Sequence, residues 1–343
     1  MTSKLKGAVV GCGFFAQNHL AGWKDIQDVE IVAVCDLDIE KAKAAATKFG
    51  IAYYTDDVNA LFATQTLDFV DLPTTMETHE SLVGAAVEQN IPVIVQKPFA
   101  PDFEGCRRMV AAAAERNVTL MVHEDFRFQN VFRAAKKIID SGTLGKLTFG
   151  RFSWRTAIDV YSNQPYLINV KRFMIMDVGI HLLDLARFLF GEAQGVFCRT
   201  QQIKEGITGE DAATILLTHD NGATTVLDFS YASRRHPDLF PQTLVEIEGT
   251  LGTLTIGPNQ VLTVHSDGQS REEQITHDSH SWTYEPWTQI QDSVVHTQRH
   301  FVESLRHSIE PETSGRDSLL TYGLLEAAYL SASTGQQVVP ERD

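Results

Sequence analysis

The chain has 343 residues, with 43% hydrophobic and 21% charged content, which suits a soluble globular protein with room for two domains. Its formal net charge of -15 argues against a nucleic-acid partner, because binding to phosphates requires concentrated Lys and Arg. No apolar run approaches the roughly 20 residues of a membrane span, and "MTSKLKGAVVGCG" enters a strand too early for a signal peptide, so we expect a cytoplasmic protein without membrane association.

Short β-branched runs alternate with amphipathic runs from Leu5 to about Asp125. Strands are expected at "GAVVG", "EIVAVCD", "DFVDLP", "PVIVQK" and "TLMVHED", with helices such as "DIEKAKAAATKFG" and "EGCRRMVAAAAERN" between them. Strands that are apolar on both faces and separated by helices indicate a parallel, doubly wound sheet. Residues 1–126 are therefore predicted to form an α/β domain.

The first strand runs into "GCGFFA", which fits the G-x-G-x-x-G/A pattern of a dinucleotide-binding turn. Gly11 permits the tight turn, Gly13 lets the backbone approach a pyrophosphate, and Ala16 lets the helix pack closely. Phe14 and Phe15 lie in the same turn, so we expect them to contact the cofactor as well.

The second strand ends in Asp36, 20 residues after Ala16. At this place a carboxylate can accept hydrogen bonds from both hydroxyls of an adenosine ribose. Asp36 and Asp38 provide two carboxylates, and no Arg or Lys occurs before Lys41, so a 2′-phosphate would be repelled. The sequence therefore predicts NAD rather than NADP.

The turn after the fourth predicted strand, "LPTTMETH", supplies Pro73, Thr74, Thr75 and His79. A turn at the carboxyl end of a parallel strand faces the cofactor crevice, so these residues are expected near the nicotinamide. His79 has a second interpretation, in which it packs or caps near the following helix.

From about Lys146 the pattern changes to long alternating runs, which are typical of antiparallel strands. The runs are "KLTFGRFSWRT", "AATILLTHD", "ATTVLDFSY", "TLVEIEGTLGTLTI" and "QVLTVHS". Helices are expected at about Ile175–Phe190, Asp292–His307 and Arg316–Ser333. Residues 127–343 are therefore predicted to form an α+β domain.

Five motifs spread over nearly the whole chain occur together in one order. They are "GCGFFAQNHL", the "QKP" at Gln96–Pro98, "DVGIHLLDLARFLFG" at Asp177–Gly191, "GTLGTLTI" and "EAAYLSASTGQ". In the content and order of these motifs the chain resembles the Gfo/Idh/MocA family, which comprises the relatives of glucose-fructose oxidoreductase and inositol dehydrogenase. The resemblance implies a Rossmann domain and a second domain with a large, mostly antiparallel open sheet. It also implies that NAD(P) and a sugar or cyclitol meet between the domains.

The resemblance also implies catalytic residues. Family members carry E-K-P after the fifth strand and D-x-x-x-H on a later helix, which here correspond to Lys97, Asp177 and His181. Oxidation of a hydroxyl needs a base for its proton and a cation for the developing alkoxide. We expect His181 to be the base, Lys97 to polarise the reacting oxygen, and Asp177 to orient the imidazole or hold a substrate hydroxyl. All three are expected to contact the substrate.

Gln96 departs from the family pattern, which has Glu at this position. A glutamine can still hydrogen-bond ribose or carboxamide groups of the cofactor. It lacks the negative charge beside Lys97, however, and loss of an opposite charge lowers the affinity of an amine for its proton. Whether Lys97 shares the proton transfer with His181 is therefore open. The resemblance also implies a cis bond between Lys97 and Pro98.

Four further side chains are expected to bind substrate: Arg127, Trp154, Arg155 and Arg172. A polyhydroxyl ligand suits bidentate donors and a flat apolar surface. The alternative interpretation makes Arg127 and Arg155 members of surface or interdomain ion pairs and places Trp154 in the core of the sheet.

No metal site is predicted. Cys12, Cys35, Cys106 and Cys198 lie far apart without a C-x-x-C pair, so we expect buried free thiols. No H-E-x-x-H motif is present, and neither a G-x-S-x-G elbow nor a P-loop occurs.

The leading functional prediction is an NAD-dependent dehydrogenase that oxidises an aldose at C1 to a lactone. The "QKP" variant and "VHEDFRFQ" are similar to the D-apiose dehydrogenase subgroup of the family. Alternatives are an inositol or other polyol dehydrogenase, an NAD-dependent glycosidase, and a non-catalytic sensor of NAD and sugar. The presence of Lys97, Asp177 and His181 argues against the sensor. Long alternating strands with one uncovered face suggest a homodimer or homotetramer.

Overall fold

The computed structural model describes residues 3–162 and 164–342, which divide into two units. The first unit comprises the chain up to Asp125 together with Ser279–Thr283 and Ile290–Leu319. The second unit comprises Phe126–Asp278, Tyr284–Gln289 and the chain from Leu320. Segments from the late part of the chain thus pack with the first unit, which the change in sequence pattern near residue 126 does not reveal.

The first unit contains a parallel sheet of six strands. They are β1 Leu5–Val10, β2 Val29–Cys35, β3 Tyr53–Thr55, β4 Phe69–Leu72, β5 Val93–Gln96 and β6 Leu120–His123. Their order in the sheet is β3-β2-β1-β4-β5-β6, so the order reverses between β1 and β4. Strands β4 and β5 are buried throughout, as expected when helices cover both faces. The predicted Rossmann fold is confirmed.

Helices connect these strands. They are α1 Ala16–Asp25, α2 Ile39–Phe49, α3 Val58–Thr64, α4 Met76–Glu88 and α5 Phe103–Glu115. Three of them begin with an aspartate whose side chain accepts a hydrogen bond from a backbone N–H in the first turn: Asp38, Asp57 and Asp102. Such caps satisfy donors that have no partner within the helix.

The second unit contains an open sheet of eight strands. They are β7 Leu147–Arg155, β8 Ala193–Gln201, β9 Ala212–His219, β10 Thr224–Ser230, β11 Leu244–Gly249, β12 Gly252–Ile256, β13 Val261–Ser266 and β14 Gln269–Gln274. The order is β14-β13-β12-β11-β7-β10-β9-β8, and every adjacent pair is antiparallel except β7 with β10. The predicted large, mostly antiparallel sheet is confirmed.

The remaining helices are α6 Asn130–Asp140, α7 Ile180–Phe190, α8 Thr288–His307 and α9 Gly315–Thr334. The sequence predicts one helix over Ile175–Phe190, but its first five residues, Ile175–Gly179, form a π-helical turn. Hydrophobic periodicity cannot show this difference, because a single π turn alters the hydrogen bonds and not the pattern of residue types. No helix of the described ranges is both long and apolar enough to cross a membrane.

Candidate functional site

The turn after β1 has the shape that the glycine pattern predicts. Gly11 has φ +102°, and a Cβ there would lie 2.8 Å from Cγ2 of Thr74 and 2.9 Å from the carbonyl oxygen of Pro73. A Cβ on Gly13 would meet no atom within 4 Å, so the backbone there borders open space. Ala16 is fully buried at the start of α1. The turn therefore leaves room for a diphosphate at a helix N-terminus.

Asp36 directly follows β2, and its carboxylate is tied to this turn. Its Oδ2 accepts a hydrogen bond from the backbone N–H of Cys12 at 2.7 Å, and its Oδ1 accepts one from that of Asp38 at 2.9 Å. A carboxylate has about four acceptor positions, so capacity for ribose hydroxyls remains. Lys41 is more than half exposed, with its Nζ 3.9 Å from Oδ2 of Asp38. The carboxylate acceptors of Asp36 and Asp38 fit ribose hydroxyls better than a 2′-phosphate.

The two phenylalanines of the turn differ in exposure. The side chain of Phe14 is 70% exposed, which leaves it available to a ligand. Phe15 instead packs edge-on against the His19 ring, with centroids 5.5 Å apart.

His79 lies in the core rather than at a surface. It is fully buried, with Nδ1 3.0 Å from the carbonyl oxygen of Phe99 and Nε2 3.2 Å from that of Thr74. Burial lowers the pKa of His79 below its usual value, so the ring is neutral. Its imidazole thus lies between the turn after β4 and the segment after β5, and the neutral ring donates its one N–H to one of the two carbonyl oxygens. The position of His79 is the one expected if the ring packs near the following helix. Pro73 and Thr74, in contrast, lie beside Gly11 of the glycine turn.

Strand β5 ends at Gln96, the half-buried Lys97 follows it, and the Lys97–Pro98 bond is cis, as the resemblance implied. Gln96 is 7% exposed, and its buried Oε1 has no hydrogen-bond partner among the described residues. A buried acceptor without a partner is costly, so a site for a ligand donor is a physical reason for it. An amide N–H or a hydroxyl would satisfy it.

In the second unit, Asp177 lies on the π-helical turn and His181 on the first turn of α7. The His181 ring stacks on Phe126, with centroids 3.9 Å apart and an interplanar angle of 6°. Oδ2 of Asp177 lies 3.4 Å from the hydroxyl oxygen of Tyr231, the residue after β10. Burial and the Asp177 charge raise the pKa of Tyr231 well above its usual value, so the hydroxyl stays a donor.

Sequence reasoning missed Tyr231. The pattern "ATTVLDFSY" does indicate a strand, and Tyr231 is its last residue. What the pattern lacks is the sheet order, which places β10 next to β7, and the helix that brings Asp177 to the end of β10.

Arg127 and Trp154 have protein partners. Arg127 forms a buried, bidentate ion pair with Asp184, in which Nε lies 2.7 Å from Oδ2. Trp154 is 4% exposed, and its indole N–H donates a 3.0 Å hydrogen bond to the carbonyl oxygen of Pro241. Trp154 therefore lies in the core, as its alternative interpretation has it, whereas the ion pair of Arg127 is buried within the second unit rather than at a surface or between domains. A role of either side chain in substrate binding stays a prediction.

Arg155 and Arg172 also form ion pairs. The Arg155 side chain is 42% exposed, and its guanidinium lies 3.2 Å from Oδ1 of Asp228. Arg172 donates a 2.8 Å hydrogen bond to Glu326, and its guanidinium lies over the Tyr329 ring at 4.1 Å. Their predicted substrate contacts likewise stay predictions.

All four cysteines are free and buried, as predicted. Burial, followed by the charge of Asp36, raises the pKa of Cys12 to about 12 and that of Cys35 to about 11. These two thiols are therefore protonated, neutral groups beneath the glycine turn, and they offer no thiolate ligand at neutral pH.

Comparisons with known proteins agree with this geometry. Residues 5–124 match the model of an oxidoreductase family with an NAD-binding Rossmann fold, and residues 132–255 match the GFO/IDH/MocA C-terminal domain. The chain is 47% identical to D-apiose dehydrogenase of Paraburkholderia graminis over 335 residues, which cover 98% of this chain and 89% of that protein. It is 43% identical to D-apiose dehydrogenase of Rhizobium rhizogenes, with coverage of 98% and 97%.

A solved structure is also similar over nearly its full length. It is an oxidoreductase from Agrobacterium radiobacter in complex with NAD+, L-tartaric acid and magnesium, with 42% identity, a TM-score of 0.97 and 98% of each chain covered. The predicted NAD cofactor is thereby confirmed. With both of its domains matched, this chain belongs to the Gfo/Idh/MocA family of NAD-binding oxidoreductases.

Proposed function

We propose that this NAD-dependent sugar dehydrogenase oxidises D-apiose at C1 to the corresponding lactone. The observation that carries the proposal is the 47% identity to a D-apiose dehydrogenase across 98% of the chain. Two residues expected to do the chemistry, Asp177 and His181, lie one turn apart at a π-helical segment, and such segments are frequent at functional sites.

The chain holds the cofactor through its first unit. Gly11 and Gly13 would receive the diphosphate, Asp36 the adenosine ribose, and the unpartnered Oε1 of Gln96 an amide or hydroxyl donor of the cofactor. When bound, NAD supplies the acceptor for the hydride that leaves C1. Holding the reacting groups in line can contribute about 7 to 11 kcal/mol to the lowering of the barrier.

The second unit supplies the base. His181 accepts the proton of the C1 hydroxyl as the C1–H bond breaks and the C1–O bond becomes the lactone carbonyl. The stacked Phe126 ring fixes the plane of the imidazole, and Asp177, next to the Tyr231 hydroxyl, holds a substrate hydroxyl or orients His181. Lys97 polarises the reacting oxygen. The base contributes about 3 to 5 kcal/mol, less than positioning does.

We extend the proposal to the domain organisation, the oligomeric state and the location of the protein. Residues 1–126 serve as the NAD-binding domain, and residues 127–343 bind substrate and form a homodimer or homotetramer in the cytoplasm. The support for an oligomer on the eight-stranded sheet is Leu216 of β9, an apolar side chain that is 38% exposed.

Incubation of the purified chain with NAD or NADP and a panel of D-apiose, other aldoses, ketoses and inositols tests the proposal. Formation of NADH with D-apiose, and of a lactone by NMR, is the expected result. Preference for an inositol would make the chain a polyol dehydrogenase. Release of a free sugar from a glycoside without net NADH would make it a glycosidase, and binding of sugar without turnover would make it a sensor.

A further inference from the structure

Glu210 is a buried acid just before β9 that no sequence motif singled out; it is 8% exposed. Its Oε1 accepts hydrogen bonds from the backbone N–H of Ile175 at 3.0 Å and from the hydroxyl of Tyr329 at 2.8 Å. Oε2 of Glu210 accepts a hydrogen bond from the backbone N–H of Phe173 at 3.3 Å. The backbone carbonyl oxygen of Glu210 accepts one from the backbone N–H of Met174 at 3.2 Å. One residue thus receives three consecutive backbone N–H groups.

Those N–H groups stand at the entrance of the helical segment that carries the predicted catalytic residues. The π-helical turn begins at Ile175, contains Asp177, and leads into α7, where His181 lies in the first turn. The first N–H groups of a helix have no partner within it, and a carboxylate there also complements the helix dipole. Glu210 therefore caps this segment from another part of the chain.

The carboxylate is itself held in place by α9. Tyr329, on this helix, donates its hydroxyl hydrogen to Oε1 of Glu210. Burial and the Glu210 charge raise the pKa of Tyr329 far above its usual value, so this donor keeps its proton. The guanidinium of Arg172 lies over the Tyr329 ring and pairs with Glu326 of the same helix. The cap and its support form one network.

Downstream of the cap, the segment fits its surroundings closely. The backbone N–H of Asp177 donates to the carbonyl oxygen of Phe173 at 2.8 Å, so Asp177 is bonded to one of the residues that Glu210 holds. A Cβ on Gly179 would lie 2.8 Å from the Phe229 ring, so the turn packs directly on β10. A shift at residues 173–175 would therefore be passed on to Asp177 and His181.

We propose that Glu210 is a positioning residue for the oxidation: it fixes where Asp177 and His181 stand by holding the backbone of residues 173–175. The proposal rests on the proposed function of these two side chains. A displacement of about 1 Å in a reacting group can lower turnover about 10²-fold, so a cap without any contact to substrate is sufficient to control the rate.

The test compares three variants, using whichever sugar yields NADH with the unmodified protein. Glu210→Ala removes the cap and should lower kcat about 10²-fold while the Kd for NAD stays unchanged. Glu210→Gln keeps an acceptor at Oε1 for Ile175 and Tyr329 but loses the acceptor for the Phe173 N–H, so its kcat should lie between that of Glu210→Ala and that of the unmodified protein.

Asp211→Ala is the matched control. Asp211 is 2% exposed, and its carboxylate likewise accepts two backbone N–H groups, those of Ile203 at 2.6 Å and Lys204 at 2.9 Å. Those residues belong to a loop that does not include the catalytic segment. Loss of this cap should lower the unfolding temperature and leave kcat of the folded protein unchanged.

Hydrogen exchange gives a readout independent of activity. Glu210→Ala should speed exchange in the peptide that covers residues 173–181, and Asp211→Ala should not. If the unmodified protein oxidises no sugar, the proposed function fails, whereas this exchange result still decides whether Glu210 holds the segment.

The proposal is overturned if folded Glu210→Ala keeps kcat within about threefold of the unmodified protein, if Glu210→Gln is as impaired as Glu210→Ala, or if Asp211→Ala lowers kcat equally. Should Glu210→Ala fail to fold, Tyr329→Phe decides, because it removes one charge-assisted hydrogen bond from the carboxylate and spares the backbone. About tenfold lower kcat with unchanged NAD binding would support the proposal, and unchanged kcat would overturn it.

Discussion

The backbone N–H of Cys12 donates a 2.7 Å hydrogen bond to Oδ2 of Asp36. The glycine turn and the predicted ribose-binding carboxylate are therefore connected, although 23 residues, 13–35, lie between Cys12 and Asp36 in the chain. A substitution at Asp36 should act on both parts of the cofactor site.

Asp36→Ala should weaken NAD binding about 10- to 150-fold, because a hydrogen bond to a charged group contributes about 1.5 to 3 kcal/mol. The variant should also discriminate less against NADP, since the repelling carboxylate is gone. Titration of both dinucleotides by calorimetry measures the two effects. Asp102→Ala is the control: it removes the cap of α5, which accepts from the Gly105 N–H at 2.8 Å, and should leave both affinities unchanged. An unaltered Kd for NAD in Asp36→Ala would refute the assignment.

Cys12 and Cys35 should resist alkylation in the folded protein. Their pKa values are raised to about 12 and about 11, so near pH 8 almost no thiolate is present, and reactivity should increase only as the pH approaches 11. In urea the ordinary thiol pKa of about 8.5 returns and both residues should react. Iodoacetamide labelling with mass spectrometry checks this. Modification of native Cys12 at the rate of a free thiol would contradict it.

Removal of one partner from the buried ion pair between Arg127 and Asp184 should strongly destabilise the second unit. Both side chains are at most 5% exposed, so Arg127→Ala leaves a buried carboxylate without this partner, which costs about 3 to 5 kcal/mol of unfolding free energy. Urea denaturation measures the loss. Arg108→Ala, which removes an exposed pair with Glu80, should cause little change. If Arg127→Ala instead raises KM for the sugar with unaltered stability, Arg127 is a substrate ligand.

Gln96→Glu tests whether Lys97 takes part in the proton transfer. A carboxylate beside Lys97 would raise the pKa of its amine, and a base must lose its proton to act, so the acid limb of the kcat profile should move to higher pH. The measurement is kcat against pH for both proteins. Gln89→Glu, at the C-cap of α4, is the control for an added charge elsewhere in the unit. An unmoved acid limb would leave His181 as the sole base.

Much of the fold could be predicted because most strands carry a clear pattern. Two of the strands that the pattern does not indicate are short or polar: β3 has three residues, and every residue of β14 is exposed. An exposed edge strand needs no apolar face, so alternation cannot reveal it. The segment Ala193–Gln201, which forms β8, was missed as well.

Some residues of the candidate site can likewise be located from local sequence pattern, and others cannot. Gly11, Asp36 and Lys97 stand at strand ends, where local pattern and sheet chemistry locate them. Glu210 is hydrogen-bonded to Ile175, 35 residues away in the chain, and Tyr231 to Asp177, 54 residues away. Only the folded backbone brings the members of these pairs together. The ion pairs of Arg127 with Asp184 and of Arg172 with Glu326 also join residues far apart in the chain, so the sequence alone leaves the roles of both arginines open.

Oxidation of D-apiose with net reduction of NAD is decided by the amount of NADH formed per sugar consumed. We expect equal amounts of NADH and lactone with the unmodified protein. With His181→Ala we expect turnover lowered by about 10² to 10⁴ and an unchanged Kd for NAD. Consumption of D-apiose without NADH, or equal turnover in His181→Ala, would contradict it.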